Sequence, residues 1–219
     1  MGLCVGPIGG DNMDDVRTHY PVNLEIDYPD HELDRVTTFF RPIVTIPVLI
    51  LLGLISGSAM LGDHEVSLAA GGVLFLATAA MLVVRQKYPR WWFDWNVALT
   101  KFGLRVTTYV ALLRDEYPST DEEQAVHVEI PYPDAPHELN RWMPLFKWVL
   151  AIPHFIVLAV LFVAAFFAVV GAWLTIPFTG RYPKALFDFV VGVMRWWLRV
   201  GAYAVLLTTD RYPPFSLAA

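Results

Sequence analysis

The sequence predicts an all-α integral membrane protein that is built as a tandem repeat. Of its 219 residues, 56% are hydrophobic and 17% are charged, whereas soluble domains have about 25% charged residues. All sixteen Lys and Arg residues lie outside two apolar windows, 42–84 and 148–180. Apolar runs that exceed about 18 residues are typical of membrane-spanning segments. In addition, a set of motifs occurs twice in the same order, which predicts a duplicated unit.

The repeated motifs divide the chain into two copies. The segment VNLEIDYPDHELDR at 22–35 returns as VHVEIPYPDAPHELNR at 126–141, and KFGLRVTTYVALLRDEYP at 101–118 returns as RWWLRVGAYAVLLTTDRYP at 195–213. We therefore predict four segments, which are a polar N-terminal tail (1–19), repeat 1 (20–118), a linker (119–125) and repeat 2 (126–216).

Each copy begins with a predicted short β-strand. Apolar and polar residues alternate along 22–27 and again along 126–130. Alternation with a period of two is typical of a strand with one buried face. The predicted buried face carries Val22, Leu24 and Ile26 in repeat 1 and Val126, Val128 and Ile130 in repeat 2.

An apolar helical hairpin is predicted to follow the strand in each copy. In repeat 1, the turn GDHE at 62–65 divides the window into two helices of about 20 residues, each long enough to span about 30 Å. Repeat 2 has no such turn, so 142–178 forms either a hairpin or one long helix. Analogy with repeat 1 favours the hairpin.

The last element of each copy is a predicted amphipathic helix with a basic stripe. Spacings of four, three and four residues place the stripe on one side of a helix. The stripe consists of Asp188, Gly192, Arg195 and Arg199 in repeat 2 and of Asp94, Ala98, Lys101 and Arg105 in repeat 1.

The basic stripe limits where this helix can lie. Two arginines at the centre of a membrane-spanning helix would cost about 5 to 7 kcal/mol before pairing, so a position in the membrane interface is favoured over a third crossing. We expect the four basic residues to contact anionic lipid or a partner subunit, because their donors match phosphate and carboxylate groups. Asp94 and Asp188 are the candidate counter-charges.

The HEL motif of each copy is a weak candidate for a metal site. It supplies His31 and Glu32 in repeat 1 and His137 and Glu138 in repeat 2. A zinc-binding helix needs a second histidine one turn later, and an arginine follows there in both copies. We therefore expect Glu–Arg pairs at i,i+3, no metal and no cofactor.

His154 is the lone histidine inside the second apolar window. An imidazole at that depth is suited to relaying protons or to holding a cofactor such as haem. The equivalent position in repeat 1 is Val48, so no symmetric histidine pair exists. A hydrogen-bonded contact between helices is therefore the favoured role.

Basic residues flank the two windows and set the predicted orientation. They are Arg35, Arg41, Arg85, Lys87, Arg90, Arg141, Lys147, Arg181 and Lys184. The GDHE turn contains no Lys or Arg. By the positive-inside rule, we expect both termini and the flanks to be cytoplasmic and the hairpin tips to point outward.

The motifs IPH, TGRYP and LFDFVVGVMRWWLRVGAYAVLLTTDRYPPFS of repeat 2 resemble those of the family called domain of unknown function 4389. The resemblance extends to repeat 1, where the RYP motif becomes KYP and YPPF becomes YPST. It implies a multi-pass protein of the prokaryotic cytoplasmic membrane, often with the domain in tandem. It implies no known chemistry and no catalytic residue.

Together these features predict a non-enzymatic accessory or structural subunit of a larger membrane complex, of a respiratory or photosynthetic kind. The expected partners are membrane lipids and other membrane subunits. A net charge of −5 gives no reason to expect nucleic acid. The alternatives are a lipid-binding or membrane-organising protein, a small transporter, and a membrane enzyme in which the two HEL motifs converge.

Overall fold

The structure is a computed structural model that describes residues 20–29, 32–56, 69–120, 122 and 124–218. The predicted tail at 1–19, His31 and the turn at 62–65 lie outside these residues. In chain order the elements are β1 (Asn23–Ile26), α1 (Arg35–Val44), α2 (Ile46–Ser56), α3 (Ala69–Arg85), α4 (Arg90–Val110), β2 (Val126–Glu129), α5 (Ala135–Glu138), α6 (Met143–Thr179) and α7 (Lys184–Ala204). The described chain is therefore mostly helical, as predicted.

The two predicted strands pair with each other. β1 and β2 run antiparallel, with Leu24 opposite Val128 and Ile26 opposite Val126. The predicted apolar face is buried along both strands, which confirms the alternating pattern. Because one strand comes from each predicted repeat, the sheet joins the two halves of the chain.

Among the described residues, two stretches are long and apolar enough to cross a membrane, judged by length and composition. They are Arg35–Gly53 and Met143–Thr179. The first begins where the Asp34 side chain accepts hydrogen bonds from the amides of Val36 and Thr37, which satisfies donors at the helix N-terminus.

The favoured hairpin in repeat 2 is wrong, because α6 is a single helix of 37 residues. At 1.5 Å per residue it is about 55 Å long. It contains Pro153 and Pro177 but no cluster of turn-forming residues that would reverse the chain. The helix ends at Gly180, whose φ of 69° is the left-handed conformation typical of a helix C-terminus.

Helix α7 forms the centre of the molecule. It packs against α6 on one side and against β1 on the other. On this helix Met194 and Leu198 are buried, with exposed fractions of 4% and 3%, whereas Trp197 is 42% exposed. The stripe side lies under β1 and the C-terminal residues rather than facing outward. Its position relative to a membrane stays a prediction.

Candidate functional site

A buried ion pair fastens α1 to the segment that follows α4. Arg41 is only 1% exposed, and its Nη2 contacts Oδ1 of Asp115. Its Nη1 donates to the carbonyl of Arg114 at 2.9 Å. The guanidinium also lies 4.6 Å from the ring centroid of Tyr109. The Asp115 carboxylate accepts in addition from the amide of Asp34 at 2.9 Å.

A second ion pair fastens α6 to the segment that follows α7. The Lys147 side chain is fully buried, and its Nζ lies 2.7 Å from Oδ1 of Asp210. The same ammonium donates to the carbonyl of Thr209 at 2.8 Å and lies 5.1 Å from the ring centroid of Tyr203. The Asp210 carboxylate accepts from the amide of Asn140 at 2.6 Å.

The members of the two ion pairs occupy equivalent positions in the two predicted repeats. Arg41 lies four residues before the TIP motif and Lys147 four residues before the AIP motif. Asp115 lies three residues before Pro118, and Asp210 lies three residues before Pro213. In each half, a buried cation meets an aspartate, a backbone carbonyl and a tyrosine ring. Both cations flank the apolar windows in the sequence, and the structure shows in addition that both are buried.

Burial decides what these pairs do for the fold. Removing two charges from water is costly, and breaking such a pair by deleting one partner typically costs about 3 to 5 kcal/mol. The extra carbonyl, amide and ring contacts offset part of the desolvation. Each pair therefore holds an apolar helix against the end of the following long helix.

A second matched set of contacts joins the halves through tyrosines. The hydroxyl of Tyr28, after β1, donates to the carbonyl of Tyr182. The hydroxyl of Tyr132, after β2, donates to the carbonyl of Tyr88. Each acceptor belongs to the KYP or RYP motif of the opposite half. At each of these two contacts, a tyrosine of one half therefore donates a hydrogen bond to the backbone of the other half.

Burial also affects the ionisation of these tyrosines. Tyr88 is 1% exposed, and its burial raises the pKa to about 12. Its hydroxyl donates to the carbonyl of Leu206 at 3.0 Å. Burial raises the pKa of Tyr182 as well. Both residues therefore keep their protons well above neutral pH.

Three of the four predicted lipid-contacting residues donate to backbone carbonyls. Arg195 Nε donates to Leu24 of β1 at 2.9 Å, and Arg199 Nη2 donates to Ala218 at 2.8 Å. Arg105 Nη1 donates to Ser119 at 2.9 Å.

Arg195 therefore contacts the other predicted copy, because β1 lies in predicted repeat 1. No hydrogen bond of the half-buried Lys101 is found within the described part of the chain. Contact of the stripe with anionic lipid stays a prediction.

The chain's C-terminal residues cover the stripe of α7. The carbonyl of Leu217 accepts from Arg195 Nη1 at 3.4 Å. A Cβ on Gly192 would lie 3.0 Å from that same carbonyl oxygen. The close approach explains a glycine here, whereas the equivalent Ala98 is exposed.

The candidate counter-charges do not pair with the stripe. Asp94 and Asp188 are both exposed, and neither forms an ion pair with any described residue. The carboxylates that neutralise buried cations are instead Asp115 and Asp210. Sequence reasoning missed these two residues, although their equivalent positions in the repeated motif were a usable signal.

The HEL motifs have separate local roles. Glu32 pairs with Arg35 at 3.8 Å, as predicted. The predicted pairing of Glu138 with Arg141 is wrong, because Glu138 accepts from the amide of Asp134 at 3.1 Å and Arg141 donates to the carbonyl of Val83. Nδ1 of His137 lies 2.8 Å from Asp134. Among the described residues, no group of three metal-ligating side chains comes together.

His154 makes the helix–helix hydrogen bond that its position predicts. Its side chain is fully buried, and Nδ1 accepts from Trp196 Nε1 of α7 at 3.2 Å. The imidazole stacks on Phe215 with 4.0 Å between centroids. Its Nε2 has no partner in the described part of the structure. The aromatic contacts enclose the ring.

An apolar groove adjoins the first ion pair. It has a volume of about 390 Å³ and lies between α1, α6 and the end of α4. Arg41 and Trp173 supply its nitrogen donors, and Thr45 lines it as well. The remaining lining is Pro42, Val110, Leu112, Phe166, Val169 and Val170.

The fold and these contacts define a mostly helical protein with two apolar stretches of membrane-spanning length in the part of the chain that the structure describes. Residues 141–216 match the family model described as Domain of unknown function (DUF4389). This region contains the whole Lys147–Asp210 ion pair, and the model finds no second copy in repeat 1. Searches of curated proteins and of solved structures returned no match.

Proposed function

We propose that this protein is a non-enzymatic, multi-pass protein of the prokaryotic cytoplasmic membrane. One observation carries the proposal: α6 contains only two side chains that can carry charge, Lys147 and His154, and both are buried. Its outward surface is apolar, with residues such as Ile156, Val160 and Phe166 more than 60% exposed. Soluble proteins rarely expose an apolar surface of this extent.

The matched ion pairs support the further proposal of a tandem repeat. Each predicted repeat contributes a strand, an apolar segment and a long helix that follows a proline. Each also carries a matched set of a buried cation, an aspartate and a tyrosine. We propose that the two halves arose by duplication and that repeat 1 has diverged beyond detection by the family model.

Within the membrane, we propose a structural or accessory role in a larger complex. The support is that the buried cations Arg41 and Lys147 are engaged in contacts within the chain. The apolar faces of α1 and α6 would contact lipid and other membrane subunits. A lipid-binding role is the second candidate, and the groove beside Arg41 favours it.

Two measurements test these proposals separately. Resistance of the full-length protein to extraction from membranes by alkaline carbonate tests insertion, and release into the soluble fraction would contradict it. Native mass spectrometry of the protein extracted in lipid nanodiscs tests the subunit role. We expect stoichiometric co-migration with other membrane chains, and a lone protein in every preparation would argue against that role.

Orientation is tested by labelling engineered cysteines from either side of sealed vesicles. Changing Ser119→Cys places the label on the predicted cytoplasmic side, and Asp63→Cys places it at the predicted outward turn. A Cys4→Ser background removes the single native thiol. Labelling of both positions from the same side would contradict the predicted topology.

A further inference from the structure

A basic cavity lies where the end of α3 faces the start of α5. It has a volume of about 550 Å³, and one side of it is formed by Arg85, Gln86 and Lys87. Residues 132–136 form the facing side. The side chains of Arg85 and Lys87 are exposed, and neither pairs with an acidic side chain of the described chain. Their donors are therefore accessible to a ligand in the cavity.

The charges around the cavity favour an anion. Asp134 is the one acidic residue among the described lining residues, and its Oδ2 lies 2.8 Å from Nδ1 of His137. One carboxylate opposite two cations leaves an excess of one positive charge. The guanidinium of Arg90 adds to this excess, because it lies 5.3 Å from the ring centroid of Tyr132, which also lines the cavity. A positive potential of this kind attracts an anionic ligand.

The end of α3 does not oppose an anion, because another arginine covers its carbonyls. The last carbonyls of a helix carry partial negative charge. Arg141 Nε donates to the carbonyl of Val83, and Nη2 donates to that of Val84 at 3.4 Å. Arg85 and Lys87 are therefore not required to cap this helix end.

A strained backbone conformation brings the two cations to the same cavity. The φ of Gln86 is 47°, which is the left-handed conformation that residues with a side chain rarely adopt. The equivalent residue of the second half is Gly180, which adopts a φ of 69° without strain. Strained residues are concentrated at ligand-binding and catalytic sites. The turn at Gln86 thus places Arg85 and Lys87 on one cavity.

In the second half, a carboxylate of the chain itself lies at the equivalent place. A Cβ on Gly180 would lie 3.2 Å from Oε2 of Glu32. Glu138 is the equivalent of Glu32 in the HEL motifs, but it accepts from the amide of Asp134 and lines a separate cleft. The cavity beside Gln86 therefore lacks the glutamate that its counterpart has, and an anion from outside the chain can take that place.

Apolar side chains beside the cavity indicate that the anion belongs to a lipid. Val84 is 69% exposed, and Leu76, about two turns earlier on α3, is 63% exposed. Trp91, at the start of α4, is 69% exposed. Tryptophans are enriched at the depth of lipid headgroups, and cations beside an apolar helix reach lipid phosphates there. A small soluble anion would leave these apolar side chains uncovered.

We propose that the cavity at the end of α3 binds the headgroup of an anionic phospholipid, whose phosphate contacts Arg85 and Lys87. A lipid with one net negative charge matches the excess charge of the cavity. Its acyl chains lie along the exposed apolar side chains of α3. The site is separate from the basic stripes of α4 and α7. The inference rests on the proposed membrane location.

The test is a titration of full-length, delipidated protein in detergent, followed by native mass spectrometry. The probes are dioleoylphosphatidylglycerol, dioleoylphosphatidylcholine and inorganic phosphate. We expect saturable binding of one equivalent of the phosphatidylglycerol and about tenfold weaker binding of the phosphatidylcholine, whose ammonium brings a like charge close to the cations. Millimolar inorganic phosphate should not displace the lipid. Added salt should weaken the binding.

Variants locate the binding. Arg85→Gln and Lys87→Gln each remove one charge and should weaken phosphatidylglycerol binding about fivefold, or about 25-fold together. Gln86→Glu keeps both cations but brings a carboxylate to the cavity, so it should weaken binding as well. The double variant Arg181→Gln with Lys184→Gln is the matched control, because it removes two exposed cations from the equivalent segment of the second half. Its affinity should equal that of the wild type.

Several results would overturn the inference. They are equal binding of the two phospholipids, displacement of the lipid by inorganic phosphate, and equal losses of affinity in the two double variants. Thermal unfolding shows whether each variant is folded, and the wild-type titration tests the inference without any variant. Absence of phosphatidylglycerol binding by a protein that resists carbonate extraction contradicts the site alone, whereas release of the protein by carbonate contradicts the proposed function.

Discussion

In both halves of the molecule a buried cation pairs with an aspartate, but the cation is an arginine in the first half and a lysine in the second. In the first half, Arg41 lines an apolar groove. In the second half, Lys147 is fully enclosed, and its partner Asp210 lines a polar cleft of about 600 Å³. An ammonium with three donors is sufficient to fasten the helix in the second half. The additional donors of a guanidinium at position 41 are therefore not required for fastening alone.

The halves also differ in what covers the long helix. On α7, the C-terminal residues close over the stripe and leave no room for a side chain at Gly192. On α4, the equivalent Ala98 is exposed. Residues 217 and 218 thus cover the stripe side of α7, whereas the equivalent side of α4 is open at Ala98.

The largest expected effect comes from removing one charge of a buried pair. Asp210→Asn and Asp115→Asn leave the buried Lys147 and Arg41 without a counter-charge, so we expect each to lower the free energy of unfolding by about 3 to 5 kcal/mol. Thermal unfolding in detergent measures the loss. Lys184→Met, at an exposed position of α7, is the control. Wild-type stability of both charge variants would show that the pairs are not structural.

A smaller effect is expected at high pH. The pKa of Tyr88 is raised to about 12 by burial from the ordinary value of about 10, so folding favours the protonated form. That stabilisation is complete below about pH 10 and is lost as the pH rises through 12. We expect unfolding, followed by circular dichroism, to become easier across this window. Tyr88→Phe should weaken the pH dependence, and an unchanged profile would contradict the assignment.

The tyrosine hydrogen bonds between the halves should contribute less to the free energy of unfolding than the ion pairs do. Tyr28→Phe and Tyr132→Phe each remove one hydrogen bond between the halves, which is worth about 0.5 to 1.5 kcal/mol. Thermal unfolding of the two variants should give losses of similar size if the contacts are equivalent. Tyr117→Phe, at an exposed position, is the control. A loss of stability in only one of the two variants would show that the two contacts are not equivalent.

The smallest effect is expected from exchanging the cation at position 41. Arg41→Lys keeps the charge opposite Asp115 and reproduces the arrangement of the second half. We expect the free energy of unfolding to change by less than about 1 kcal/mol. Lys147→Arg adds bulk to an enclosed site, so overpacking of about 1 to 3 kcal/mol is expected. Equal effects of the two exchanges would contradict the difference in enclosure.

Local patterns predicted the strands well because alternation reports directly on which side chains are buried. Val22, Leu24 and Val128 lie on the buried face where period-two alternation places them. The long helix α6 was mispredicted by analogy, although the missing turn residues in 142–178 already favoured a continuous helix. Local chemistry was the better guide there.

The ion pairs depended on long-range packing that no local pattern reveals. Arg41 and Asp115 are far apart in the sequence, and so are Lys147 and Asp210. The capture of Arg195 by the carbonyl of Leu24 requires β1 to cross onto the other half. The equivalent positions of the cations and aspartates in the repeated motifs are the one sequence feature that indicates these pairs.

The central claim is that both halves fasten an apolar helix through a matched cation–aspartate pair. A double-mutant cycle at each site tests it, using Arg41→Met with Asp115→Leu and Lys147→Met with Asp210→Leu. Thermal unfolding of the single and double variants gives the coupling energy. We expect each double variant to be more stable than the sum of its single losses implies, with coupling of about 0.5 to 3 kcal/mol at both sites. Additive losses at both sites would contradict the claim.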